Sequence, residues 1–284
     1  MAIRAEQAGV RRAQMDVLTV FVLSVLAGAF ISFGAIFATT VGAGSITIGP
    51  AGDTTAMSAA LPYGITRLLV GLVFSVGLIM VVVGGAELFT GNNLLVMAWA
   101  SHKVTTRAVL MNWLIAFVGN CIGTIATAAL TFLSTQYTFG NGAVGLVALT
   151  TANSKAALDF MPALTLGILC NALVCIAVWM CFGARTTIDR VVTAVPPIAA
   201  FAAAGFEHCI ANAYFLPMGL FIKSGAPDSF WASIGKTAAD FPALTWTNFL
   251  VGNLVPVTIG NIIGGSLMVG AVYWFVYLRP TRAS

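Results

Sequence analysis

Three ionisable side chains stand inside apolar stretches of this 284-residue chain: Glu87, Glu207 and His208. A carboxylate at the centre of a hydrocarbon layer costs about 2.5–3.5 kcal/mol even on the lenient insertion scale. The two glutamates also recur in one pattern, Gly-x-Glu-x-x-x-x-Asn, within GGAELFTGNN (84–93) and AGFEHCIANA (204–213). Its members are Gly85, Glu87 and Asn92 in the first stretch, and Gly205, Glu207 and Asn212 in the second. A helix broken inside lipid exposes backbone N–H groups that hydrocarbon cannot satisfy. A carboxylate beside the break would accept hydrogen bonds from them. Glu87 and Glu207 are therefore expected to shape broken helices and not to carry protons. His208 differs, because an imidazole exchanges a proton near neutral pH. The other histidine, His102, lies in the basic segment SHKVTTR and reads as solvated.

Other chemistry finds no support. There is no Ser/His/Asp set, phosphate loop or CxxC pair, so neither an enzyme nor a cofactor site is expected. Cys121, Cys170, Cys175, Cys181 and Cys209 fall in apolar runs without metal-ligand spacing and read as small buried hydrophobes. No metal and no structural disulfide is expected. Repeated half-helix breaks suit an anion, since helix N-termini present free N–H donors and a positive dipole end.

The elements that must position these residues are membrane helices. Hydrophobic residues make up 59% of the chain and charged ones 8%, against about 25% charged in soluble domains. Apolar runs at 17–41, 63–100, 107–134, 160–182, 191–222 and 247–278 each meet the length of a crossing. The N-terminal 1–16 is a polar, amphipathic segment, and 17–284 form a single transmembrane domain in which the first helix is retained. Six crossings put both termini on one side. Nine Lys/Arg residues fall on that side (Arg4, Arg11, Arg12, Lys103, Arg107, Arg185, Arg190, Arg279, Arg282) and four on the other (Arg67, Lys155, Lys223, Lys236). By the positive-inside rule both termini are cytoplasmic, in a bacterial-type inner membrane. The net charge of +4 is too scattered for nucleic acid.

The third and sixth runs share a second pattern: Asn112, Gly119, Asn120, Ile122, Gly123 and Asn253, Gly260, Asn261, Ile263, Gly264. Two motifs repeated in one order mark a duplicated three-helix unit, about 17–134 and 160–278. Three is an odd number of crossings, so the halves run in opposite directions, and broken helices of such repeats meet near the midplane. The expected fold class is all-α, with six transmembrane helices as two inverted repeats whose second and fifth helices are broken. The GxxxG glycines read as close helix packing.

These residues resemble the formate/nitrite transporter family, nearest its formate channels. AELFTGNN (86–93), GILCNALVCIAVWM (167–180), GFEHCIANAYFLPMG (205–219) and NLVPVTIGNIIGG (253–265) carry the resemblance, in order along nearly the whole chain. It implies an aquaporin-like fold and a homopentamer in which each protomer has its own pore. The pore histidine falls on His208, the mobile threonine on Thr90, the pore asparagine on Asn171 and the vestibule lysine on Lys155. The outer hydrophobic slit falls on Phe74, Leu78 and Phe201, and the inner on Leu88, Phe89 and Val174. The resemblance also implies that the N-terminal segment closes the cytoplasmic mouth at low pH. The lysine's segment, TANSKAALDF, reads as a loop.

A bare anion meets a Born cost of about 20 kcal/mol in an apolar slit before relaxation. Protonation by His208, or sharing of its proton, would relieve that cost. The expected function is a passive channel or proton-coupled transporter for formate or a related small monovalent anion. Nitrite, hydrosulfide, acetate and lactate remain open as permeants. A water or glycerol channel is the nearest rival, and no Asn-Pro-Ala pair stands at the breaks. An ammonium channel would call for paired pore histidines.

Overall fold

A computed structural model describes residues 1–48 and 57–279. The chain begins with α1 (Ala2–Gln14), α2 (Val17–Gly42), a short antiparallel hairpin of β1 (Ser45–Ile48) with β2 (Met57–Ala60), and α3 (Tyr63–Gly84). After a break come α4 (Phe89–Asn92), a tight turn (Asn93–Leu95), α5 (Val96–Ala100) and α6 (Thr106–Leu133). The second half has α7 (Ala143–Ala156), α8 (Phe160–Cys181), α9 (Thr187–Ala204), α10 (Cys209–Gly225), α11 (Asp228–Ile234) and α12 (Asn248–Tyr277). The helices long and apolar enough to cross a membrane are α2, α3, α6, α8, α9 and α12, so the six expected spans are present. Polar caps fix several of their starts. Asp16 accepts from Thr19 N at 2.9 Å to open α2, and Thr105 accepts from Ala108 N at 3.2 Å to open α6.

The two halves follow one plan. In the first, α2 packs against α3 and α6; in the second, α8 packs against α9 and α12. The halves join where α3 lies on α9, and they interlock because α10 crosses to α6 while α4 touches α8. Glycines make the tightest crossings. A Cβ on Gly123 would collide with the Val25 carbonyl of α2, and one on Gly264 with the Ile168 carbonyl of α8. The GxxxG pairs thus occupy equivalent helix crossings, as close packing requires.

Three features differ from the sequence reading. The hairpin between α2 and α3 is regular structure that no periodicity announced. Lys155 is not in a loop but in the last turn of α7, which is only 14 residues long and too polar to register as a span. The last span is one helix, yet two stretches of it, Asn248–Leu254 and Ile263–Ala271, widen to the π form. Pro256, which has no N–H to donate, follows the first.

The N-terminal helix α1 docks on the α4–α5 segment. Gly9 sits against Ala98, Glu6 pairs with Lys103, and Arg4 Nη1 donates to Phe182 O at 3.1 Å. Burial pushes the Glu6 carboxyl up, but bonds from Lys103 and Ser101 outweigh it and hold the group below the ordinary range. A depressed carboxylate contributes its stability above the ordinary value and loses it as pH falls through the folded value. Protection factors for amide exchange across residues 2–14, with the intrinsic pH dependence divided out, are therefore expected to fall as pH drops below the ordinary glutamate range, and Glu6→Gln should remove that dependence.

Packing makes a second forecast. Gly264→Leu should largely abolish assembled protein in detergent size-exclusion profiles, because overpacking against a carbonyl costs at least about 1–3 kcal/mol. Gly252→Ala, whose nearest neighbour would lie at an ordinary 3.8 Å, should assemble normally.

Candidate functional site

Each break is built by a left-handed glycine followed by a return of the chain. Gly85 (φ 73°) ends α3 and Gly205 (φ 80°) ends α9, a conformation that a side chain would strain. The returning strand of chain is tied to its own repeat: Glu87 N donates to Leu23 O at 3.2 Å, and Glu207 N to Leu166 O at 3.3 Å. One asparagine then serves each break. Asn120 Oδ1 accepts from Phe89 N at 2.8 Å, while its Nδ2 donates to Ser24 O at 2.7 Å and Glu87 O at 2.9 Å. Asn261 repeats this with Cys209 N (3.0 Å), Gly167 O (2.7 Å) and Glu207 O (3.0 Å).

The glutamates do not accept from the freed backbone amides, as the sequence suggested they would. Asn120 and Asn261 and the main chain do that work, which leaves the carboxylates for side chains. Glu87 Oε2 accepts from Asn92 Nδ2 at 2.7 Å and Oε1 from Arg12 Nε at 3.1 Å. Glu207 Oε2 accepts from Asn212 Nδ2 at 2.6 Å and Oε1 from Lys155 Nζ at 2.7 Å. Asn92 and Asn212 donate onward to Asn112 Oδ1 and Asn253 Oδ1, at 2.9 and 2.8 Å. Both carboxylate oxygens of Glu87 and Glu207 are thus occupied, one by an asparagine and one by a cation, while Asn92 Oδ1 and Asn212 Oδ1 stay buried without a partner.

His208 is the N-cap of α10. Its Nδ1 accepts from Ala211 N at 3.1 Å, so the ring's single proton rests on Nε2, which lies 3.0 Å from the Thr90 hydroxyl. Thr90 belongs to the first repeat and His208 to the second. Phe201 stacks on the imidazole with centroids 5.9 Å apart, and Phe74 meets Phe201 edge-on at 5.6 Å.

Two cavities flank the breaks and share no lining residue; His208 lines one of them and Thr90 lines neither. One, of about 570 Å³, is lined by Arg12, Glu87, Leu78 and Leu88 among others. The other, of about 540 Å³, is lined by Lys155, Glu207, His208, Phe74 and Phe201 among others. Leu78 thus faces the first cavity with Leu88 and not the second with Phe74 and Phe201, because it lies one helical turn further along α3. Phe89 packs edge-on against Phe117 and Trp113, at 5.2 and 6.4 Å, and lines neither cavity. Val174 is fully buried and lines neither.

Asn171 also lies outside both cavities. Its Nδ2 donates to Asn93 Oδ1 (2.7 Å), Asn261 O (2.7 Å) and Thr90 O (3.3 Å), which ties the two breaks together. Asn120, Asn261, Arg12, Asn93 and Cys175, whose Sγ donates to Thr90 O at 3.3 Å, were not singled out as site residues from the sequence. The repeated motif did contain Asn120 and Asn261, and their recurrence at matched positions was the available signal. No group of His, Cys, Asp and Glu among the described residues could hold a metal.

A six-span chain of inverted repeats, with a cavity on each side of the broken helices and a buried histidine between the repeats, has the form of a membrane transport protein. The formate/nitrite transporter family model matches residues 1–275, and the chain belongs to that family. It is 43% identical over 279 residues to the formate channel FocA of Escherichia coli K12, covering 98% of this chain and 93% of that protein. It is 38% identical to FocA of Haemophilus influenzae, covering 94% and 89%. Among solved structures, a pentameric formate channel with formate bound superposes with a TM-score of 0.82 at 41% identity, covering 93% of this chain and 98% of that one. A second channel of the family, 22% identical with a TM-score of 0.78, shares the fold. The chain is accordingly a multi-pass membrane protein.

The break geometry sets an expectation. Asn261→Leu orphans Cys209 N and removes donors from two carbonyls, each buried orphan costing about 1–3 kcal/mol. The melting temperature of the purified protein should drop by several degrees or assembly should fail. A variant as stable as wild type would show that the asparagine is dispensable to the break.

Proposed function

We propose that the protein moves formate, or a closely related small monovalent anion of a weak acid, across the inner membrane as a homopentamer with one pore per protomer. The observation that carries this reading is the 3.0 Å contact between His208 Nε2, which lines the second cavity, and the hydroxyl of Thr90, whose neighbour Gly91 lines the first. The formate-channel relatives support the choice of permeant. Nitrite, hydrosulfide, acetate and lactate share the charge and size class. A neutral-solute pore has no such support.

The anion enters the second cavity, where Lys155 stands at 2.7 Å from Glu207 and under the Phe215 ring. Phe74 and Phe201 strip its water. At the centre the His208 Nε2–H and the Thr90 hydroxyl replace the lost hydrogen bonds, and Asn171 holds the Thr90 carbonyl from behind. Sharing the Nε2 proton spreads the anion's charge where hydrocarbon tolerates it least. Complete transfer needs a second proton at Nδ1, and that proton must displace the bond from Ala211 N. Two modes follow from one geometry: sharing gives channel-like passage of the anion, and transfer gives symport. The permeant leaves past Leu88 and Leu78 into the cavity that holds Glu87 and Arg12.

Both termini face the cytoplasm in this reading, supported by the nine-to-four distribution of Lys and Arg. The segment 1–16 then lies on the cytoplasmic mouth, with 17–284 as the transport domain. Arg4, Arg11 and Arg12 of α1 all line that mouth.

Formate flux and accompanying protons measured in liposomes test the mechanism. His208→Asn keeps a polar group but offers no titratable proton, so co-transported protons should fall to background while the protein still assembles. Unchanged coupling in that variant would remove His208 from the proton path.

A further inference from the structure

Lys155 is a cation of the second cavity, yet its ammonium is spent on Glu207 at 2.7 Å. The pair is neutral as a unit and presents little field to an anion arriving from outside. The same cavity holds one more cation. Arg67, near the start of α3, is half-buried and lines it together with Gly205 and Ala202. Its guanidinium has no carboxylate partner among the described residues. Instead Nε donates to Ala203 O at 2.8 Å and Nη2 to Ala202 O at 2.6 Å. Those carbonyls are the C-terminal end of α9, where the helix dipole concentrates about half a negative charge. Left bare, that end would face an incoming anion with repulsion. The Gly205 turn is also shaped around the cation, since a Cβ there would lie 3.1 Å from Arg67 Nη2.

We propose that Arg67 is the anion-recruiting residue of this cavity: it cancels the negative end of α9 and supplies the net positive charge that the Lys155–Glu207 pair does not. The end of α9 offsets only about half a charge, so the guanidinium leaves a net positive charge to act on the cavity. Cross-repeat placement adds precision, because an arginine of the first repeat caps the broken helix of the second. The role concerns capture of the anion and leaves the exchange at His208 and Thr90 to those residues.

The inference rests on the anion-transport reading, and one experiment separates their failures. Labelled formate influx into cells lacking their own formate transport is measured at pH 7 for wild type, Arg67→Gln and Arg67→Lys, at low and high ionic strength. No influx through wild type would sink the transport reading itself. If influx is present, Arg67→Gln should raise KM about fivefold to tenfold at low salt, the scale of one unit charge acting over about 8 Å at an effective dielectric near 30. Maximal flux should change little. Wild-type KM should rise with salt as the charge is screened, and the KM of Arg67→Gln should be flat. Arg67→Lys keeps the charge while losing the planar two-carbonyl grip, so its KM and salt dependence should stay within about twofold of wild type. A lysine variant as impaired as the glutamine variant would make the role one of bonding and overturn the proposal. So would a glutamine variant with normal KM, or a wild-type KM insensitive to salt. If Arg67→Gln does not assemble, the salt dependence of Arg67→Lys decides: retained, it supports recruitment by charge; lost, it overturns it.

Discussion

The structure depends on one constraint: a helix that stops inside lipid must find partners for its freed backbone groups within the protein. Asn120 and Asn261 meet it with single side chains. Each accepts from the amide that opens the returning helix and donates to two carbonyls on separate segments. No other side chain of that size offers donor and acceptor in one plane. The glycine crossings follow from the same need, since an asparagine on α6 reaches carbonyls on α2 only if the two backbones nearly touch. Gly119 and Gly123 bring α6 that close to α2, and Gly260 and Gly264 bring α12 equally close to α8.

Charge is handled by the same economy. Each glutamate at a break is held between an asparagine and a cation, so that neither mouth carries a bare carboxylate there. Buried pairs of this kind are poor sources of net stability, because desolvation offsets attraction. Their effect here is electrostatic neutrality along the anion's route, with geometry fixed by Asn112 and Asn253 behind them. The cations come from different places: Lys155 from α7, within the transport domain, and Arg12 from the N-terminal helix. One mouth therefore owes its charge balance to a segment that lies outside the repeats.

Much of the frame was legible before any coordinates. Apolar runs of crossing length gave the six spans, and two recurring motifs gave the inverted repeat, because lipid leaves little freedom in either. The roles of individual polar residues were harder to read. A Glu beside a break was taken as the acceptor for backbone amides, whereas an asparagine 31 residues away in sequence at the first break, and 52 at the second, reaches them. That distance is invisible to local pattern. Leu78 and Phe74 look alike in sequence as apolar residues one turn apart, yet they serve opposite cavities. Lys155 read as a loop residue because α7 is short and polar enough to lack a membrane signal. Arg67 counted only as one more positive charge in a topology tally, since its carbonyl partners lie more than a hundred residues away.

The contact between His208 and Thr90 bears on how such a protein could arise. By the repeat, His208 corresponds to Leu88 and Thr90 to Ile210. A symmetric pair of identical three-helix chains would carry the same residue at both equivalent positions. It could offer histidine to threonine only by placing both at each break, doubling the polar load in the membrane. Joining the two units in one chain frees each position to differ, so the first break can stay greasy where the second is basic. The single imidazole is thus a property of the fusion itself, unavailable to either half alone or to two copies of one half.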